Sequence, residues 1–361
     1  MELNLLVLPG DGIGVEVTAE AVRVLERVTR KFGHTLRMAE GLLGGIAIHR
    51  TGSPLPPETE RLAREADATL LGAVGLPEFD NAAPEKRPEK GLLGIRKTLG
   101  VYANLRPVKA YEALLDASPL KNDRIRGVDM IIVRELTGGI YYGTPRGISG
   151  ESENERAVNT MAYTRPEIER VCRMAFELAR GRRRKVTSVD KSNVLEVSQL
   201  WRRVAIETAR DYPDVALDHL LVDNCAMQLI LNPRRFDVVV MANMFGDILS
   251  DEGAVLGGSI GMLASASIGA KRPSGAYVGL YEPVHGSAPD IAGQGKANPL
   301  AAIGSAAAML EYSFGLREEA AAITNAVEAV LRSGRVTADL NPKGAPATTA
   351  EVGQAVCDAI G

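Results

Sequence analysis

Short apolar runs alternate along this chain with segments of helical period, and that alternation limits the folds open to it. The runs are "NLLVL" (4–8), "ATLLGAV" (68–74), "VDMIIV" (128–133), "KVTSV" (185–189) and "FDVVVM" (236–241). Apolar residues recur at helical spacing over 15–32, 165–180, 194–210, 223–232 and 299–314. The pattern predicts an α/β protein with a largely parallel sheet. At 361 residues the chain exceeds the usual single core, so two domains are expected.

The stretch "NLLVLPGDGIGVEV" (4–17) runs from strand through a glycine turn into helix, the layout of a dinucleotide site. The Rossmann fingerprint needs G-x-G-x-x-G, yet after Gly10 and Gly12 the third position is Val15. A nicotinamide cofactor would have to be held mostly elsewhere. From Gly75 to Gly91 the residues Pro77, Pro84 and Pro88 leave no helix or strand period, which predicts a long loop.

The balance of 42 basic and 45 acidic residues offers no general attraction to nucleic acid or to an anionic membrane. The run "RGRRRK" (180–185) closes a helix begun by Thr164 and Pro166, a common place for cations. Cys172, Cys225 and Cys357 are odd in number and far apart, against a disulfide framework or a zinc site, and a reducing cytoplasmic location is expected. No basic targeting segment precedes the first apolar run. The longest apolar stretch, 300–310, is too short to span a bilayer.

In "NMFGDILSDEGAVLGG" (243–258), Asp247 and Asp251 are four apart and share a helix face, whereas Glu252 points away. Two like charges in an apolar segment either face solvent or share a cation. Carboxylates with no histidine nearby suit Mg²⁺ or Mn²⁺ better than zinc. Asp223 in "LLVDNCAMQL" begins another helix, where capping and ligation are equally open. Arg96, Arg106 and Arg134, the last followed by Tyr141, could bind carboxylates bidentately. Lys191 lies just beyond a strand, where α/β sheets form their ligand crevice. The string Gly257-Gly258-Ser259-Ile260-Gly261 spells a hydrolase nucleophile elbow, but helix-like sequence precedes it and His285 is its one candidate triad histidine.

The motifs "LPGDGIG", "EKGLLGIRK", "YANLRP", "VRELTGGIYYG", "SVDKSNVLEVS", "VDNCAMQL", "NMFGDILSD" and "LYEPVHGSAPDIAGQGKANP" follow in this order. Together they resemble the metal-dependent decarboxylating β-hydroxyacid dehydrogenases, the isocitrate/isopropylmalate dehydrogenase family, over nearly the whole chain. The resemblance implies a two-domain fold distinct from Rossmann. Residues 1–101 and 258–361 would form a discontinuous cofactor-binding domain. Residues 102–257 would carry the metal ligands and the interface of a homodimer.

The same resemblance implies that NAD lies on the loop from His285 through Gly286, Ser287, Ala288, Pro289, Asp290 and Ile291 to Asn298, beside Ile13, Leu76 and Glu89. Asn298 before Pro299 is equally a helix N-cap. Asp290 would accept from the ribose hydroxyls and repel a 2′-phosphate, favouring NAD over NADP. Mg²⁺ or Mn²⁺ would be held by Asp247, Asp251 and the second subunit's copy of Asp223, which would also touch substrate. Arg96, Arg106 and Arg134 would fix carboxylates, Lys191 would act as base across the dimer, and Tyr141 would be the acid. Leu92 and Leu93, joined across the interface by Val194, would form an apolar wall, implying 3-isopropylmalate oxidised and decarboxylated to 4-methyl-2-oxopentanoate in leucine biosynthesis. Homoisocitrate, D-malate and tartrate stay open as substrates, since both leucines could be core. A hydrolase through Ser259 and a silent anion-binding relative are the alternatives outside this chemistry. Val15 and Ala264 stand where the family usually has proline, and Leu76 where it has glycine.

Overall fold

The structure, a computed structural model, describes all residues 1–361. The first third of the chain carries β1 (Glu2–Gly10), α1 (Gly14–Lys31), β2 (Thr35–Glu40), α2 (Gly45–Thr51), α3 (Pro57–Glu65), β3 (Ala68–Ala73) and α4 (Pro88–Leu99). The middle carries β4 (Ala103–Lys109), α5 (Asn122–Ile125), β5 (Asp129–Glu135), β6 (Gly143–Ser149), β7 (Arg156–Thr160), α6 (Arg165–Arg180), β8 (Lys185–Asp190), α7 (Glu196–Ala209), β9 (Ala216–Leu221), α8 (Val222–Leu231), β10 (Val238–Met241) and α9 (Asn243–Ala254). The last part carries β11 (Ala264–Lys271), β12 (Tyr277–Pro283), α10 (Leu300–Phe314), α11 (Arg317–Ser333) and α12 (Thr349–Ile360). The five apolar runs are β1, β3, β5, β8 and β10, and the five periodic segments are α1, α6, α7, α8 and α10, as the alternation predicts.

Two compact units divide the chain. The terminal unit comprises Met1–Val101, Tyr111–Pro119 and Gly257–Gly361. Its strands run in the order β2-β1-β3-β12-β11, parallel except for the β11–β12 pair. Leu6, Leu8, Leu43, Leu71, Ile95 and Leu280 fill its core, with Leu92 packed against them. The central unit comprises Tyr102–Ala110 and Leu120–Leu256, ordered β4-β5-β10-β8-β9, with only β4–β5 antiparallel. The stretch 111–119, together with Gly257, thus folds with the terminal unit although it falls inside the expected 102–257 domain.

Three local readings are corrected. The stretch 75–91 is not structureless: it holds single 3₁₀ turns at Pro77–Phe79 and Pro84–Lys86, and α4 begins at Pro88, a residue well suited to a helix start. Asp223 does not cap α8. The cap position is Leu221, and Asp223 lies one residue inside the helix. The cap position of α10 is Pro299, one residue beyond Asn298, although Asn298 Oδ1 still accepts the Leu300 N–H at 3.0 Å.

Candidate active site

The central unit gathers charge where β4 and β5 meet α9. Arg134 is the penultimate residue of β5, and its side chain reaches α9 because Gly246 leaves room: a Cβ there would stand 2.6 Å from the Arg134 Cβ. Arg134 donates through Nε to Asn243 Oδ1 (2.9 Å) and through Nη1 to Asp247 Oδ1. Arg106, on β4, donates to Asn104 Oδ1 (2.8 Å), Ser250 Oγ (2.5 Å) and Asp251 Oδ1 (3.0 Å). Asp247 and Asp251 do share one face of α9, and the two arginines relieve their mutual repulsion.

Tyr141 donates its hydroxyl to Asp247 Oδ2 at 2.9 Å. Burial, then the Asp247 carboxylate, push the phenol above its ordinary pKa, so the hydroxyl keeps its proton. Behind this cluster stands Glu135, fully buried, which sequence reading passed over as the flank of Arg134. It accepts the Thr137 N–H (2.9 Å), the Thr137 hydroxyl (2.6 Å) and the Gly138 N–H (2.8 Å), fixing the turn that leads to Tyr141.

Lys191 and Asp223 form a separate pair at 2.8 Å, and the lysine holds the Asp223 carboxyl below its usual pKa. Val194, beside them, is 61% exposed. No group of three acid, histidine or cysteine side chains is assembled within the single chain, so Asp223 does not join Asp247 and Asp251 here.

In the terminal unit the glycines of "PGDGIG" serve close packing. Gly12 has φ +56°, and a Cβ on it would stand 2.1 Å from the Ser287 carbonyl oxygen. Ile13 N–H donates to that oxygen at 2.7 Å, and Ser287 Oγ donates to the Gly75 carbonyl at 2.6 Å. Glu89 Oε1 lies 3.5 Å from the place a Gly75 Cβ would occupy. Asp11, unnoticed in the sequence, is buried beneath this turn and accepts three backbone N–H groups. Leu76 has extended backbone and turns its side chain onto Gly45, so its position needs no glycine.

His285 Nδ1 donates to the Gly286 carbonyl at 2.9 Å, which leaves Nε2 as an acceptor, buried and without a partner. Burial lowers the ring's pKa and keeps it neutral. Ala288 takes φ +35°, unusual for a residue with a side chain, and Pro289 and Asp290 are exposed. Ile291 N–H closes the turn onto the Ala288 carbonyl. Asn298 Nδ2 donates to Asp339 Oδ2 at 3.0 Å. Arg96 of α4 donates to Glu282 of β12 at 2.5 Å. Leu92 is half-buried and packs against the core, whereas Leu93 is 42% exposed.

Ser259 is not an elbow nucleophile. A 3₁₀ turn after α9 precedes it, its hydroxyl donates to Asp339 Oδ2 at 2.6 Å and accepts the Gly261 N–H. The basic run after α6 is engaged in ion pairs, Arg180 with Asp214 and Arg182 with Asp129 and Asp237. No helix is long and apolar enough to cross a membrane.

Comparison with known proteins gives the family. The family described as isocitrate/isopropylmalate dehydrogenase matches residues 4–356. A 3-isopropylmalate dehydrogenase of Geobacillus kaustophilus is 62% identical over 94% of this chain and 91% of its own length. One of Halalkalibacterium halodurans is 57% identical over 100% and 98%. The crystal structure of isocitrate dehydrogenase from Methylococcus capsulatus superposes with a TM-score of 0.87 at 35% identity, covering 99% of both chains. Match, coverage and fold agree that the chain belongs to the isocitrate/isopropylmalate dehydrogenase family.

Proposed function

We propose that this chain is a decarboxylating dehydrogenase that oxidises (2R,3S)-3-isopropylmalate to 4-methyl-2-oxopentanoate and CO₂ in leucine biosynthesis, using NAD and Mg²⁺ or Mn²⁺. The observation that carries the reading is the pair Asp247 and Asp251 held against Arg106 and Arg134, with the Tyr141 hydroxyl on Asp247. Two carboxylates and two guanidinium groups sum to no net charge. A dication and a dianionic malate can therefore enter together without leaving an uncompensated charge.

The donors fit both absent groups. Asp247 and Asp251 are hard oxygen ligands one helical turn apart, suited to Mg²⁺ or Mn²⁺. The loop from His285 offers a buried, unpartnered Nε2 as a hydrogen-bond acceptor, as an adenine amino group requires, and Asp290 is exposed for a ribose. NAD on the His285 loop would supply the hydride acceptor, and a dication on Asp247 and Asp251 would supply a Lewis acid. Arg106 and Arg134 hold substrate carboxylates, and Arg96 is the third arginine the reading assigns to them. Lys191 Nζ takes the hydroxyl proton, and Tyr141 returns one to the carbon left by CO₂. Leu93 gives the isopropyl group an apolar neighbour and would leave a third carboxylate unpaired, which disfavours isocitrate.

The working unit is a homodimer in which Lys191, Val194 and Asp223 complete the partner's site. Support comes from exposed apolar surface: Met227 and Leu231 on α8 and Ile248 on α9. The β6–β7 hairpin is exposed along most of its length, and a two-stranded hairpin alone is marginal in water. Initial rates with 3-isopropylmalate, isocitrate, D-malate and tartrate, each with NAD and NADP, test the chemistry. Preference for isocitrate or NADP would refute the assignment. Mixing inactive Lys191→Ala with inactive Asp251→Asn under subunit exchange tests sharing. One site per mixed dimer keeps both residues, so activity returns to about half per heterodimer.

A further inference from the structure

We propose that Asp11 is a positioning residue for the dinucleotide, a reading that rests on the NAD site proposed above. Asp11 is 3% exposed and no cation pairs with it. Its carboxylate is satisfied by backbone alone: Oδ2 accepts the N–H of Gly45 (2.8 Å) and of Gly75 (2.9 Å), and Oδ1 accepts that of Ile46 (2.8 Å). Its own N–H donates to the Ala73 carbonyl at 2.8 Å. The enclosure is close, since a Cβ on Gly44 would stand 2.5 Å from Oδ2.

One side chain thereby ties the turn after β1 to the start of α2 and to the turn after β3. The tie to the turn after β3 leads to the cofactor loop. Gly75 takes φ +130°, open only to glycine, and its carbonyl receives the Ser287 hydroxyl at 2.6 Å. Ser287 in turn accepts the Ile13 N–H, and Ile13 is two residues from Asp11. The ring of bonds returns to its origin, so a shift of the carboxylate moves Gly75, Leu76 and Ser287 together. The position calls for an acceptor at both oxygens, because three backbone N–H donors converge on them.

Asp11→Asn turns one acceptor into an NH₂ facing a backbone N–H. It should raise the Kd for NADH, read by fluorescence titration, and the KM for NAD about tenfold. The kcat and the KM for the malate substrate should stay within about twofold, and Asp11→Ala should weaken NADH further. A purely structural role would lower Tm while NADH affinity, measured well below Tm, stayed at the wild-type value, and that result overturns the proposal. Ser287→Ala, which leaves the carboxylate in place, should weaken NADH severalfold and add little to Asp11→Asn in the double variant. Additive effects, or no effect of Ser287→Ala, would break the route through Gly75. Wild-type protein that fails to bind NADH would instead refute the dinucleotide site itself.

Discussion

The two units build their candidate functional residues from opposite materials. In the central unit the working groups are charged side chains on β4, β5 and α9, and they neutralise one another: Arg106 with Asp251, Arg134 with Asp247. In the terminal unit the Ile13, Gly75 and Ser287 turns are joined chiefly by backbone groups, and a neutral histidine faces the loop. A cluster of charges can exchange partners when ions arrive, because each guanidinium has further donors to offer. A backbone-built loop has no such freedom. It must already have its shape, and glycines at positive φ supply it.

The sharpest way to break this contrast is to disarm the charged side. Asp251→Asn leaves Arg106 without its carboxylate and removes a metal ligand, so kcat/KM should fall by about 10³ or more, and excess chelator should abolish turnover of the unaltered protein. Full activity in chelator would remove the metal from the account. On the backbone side, Gly12→Ala forces a Cβ against the Ser287 carbonyl at positive φ. It should raise the KM for NAD about tenfold and destabilise the fold by about 1–3 kcal/mol, with the KM for the malate unchanged. Should the malate KM rise equally, the division of labour fails.

Leu92 and Leu93 sharpen the contrast within one helix. Leu92→Ala should destabilise by about 2 kcal/mol with little change in selectivity. Leu93→Ala should leave Tm nearly unmoved and erode the preference for the isopropyl substrate. Denaturant melts together with rates on D-malate separate the two. The smallest effect concerns Glu20 on α1, whose carboxyl is raised above its ordinary pKa by burial, with Arg23 opposing. An acid raised in the folded state favours folding at low pH and opposes it above its unfolded pKa. Glu20→Gln should therefore raise Tm by about 1–2 °C at pH 7, with the gain vanishing towards pH 4.

Much of this was legible in the sequence, for physical reasons that also mark the limit. Strands β1, β3, β5, β8 and β10 read clearly because burial on both faces makes them unbroken apolar runs. The edge strands β2 and β9 and the hairpin β6–β7 carry polar, partly exposed residues and gave no such run. The 3₁₀ turns at Pro77 and Pro84 are too short to have a period. Asp247 and Asp251 were found by helical spacing. Asp11 was not, because its partners are backbone N–H groups, which no side-chain pattern reveals; nor was Glu135, which shares its oxygens between backbone N–H groups and the Thr137 hydroxyl at a turn with no period of its own. The split between Leu92 and Leu93 likewise depends on which way α4 is rotated, not on residue type.

On β3, Leu70 pairs with Tyr281 of β12, a partner roughly 200 residues further along the chain. A ribosome adding ~5–20 residues per second needs on the order of 10–40 s to cover that interval. Through it β3 lacks its β12 partner, and by its end every strand of the central unit has been made. The terminal unit is therefore the last to close, although it is the first to begin. Its open β3 flank is the surface a chaperone would have to shield, and slowed translation before Tyr277 would lengthen that exposure.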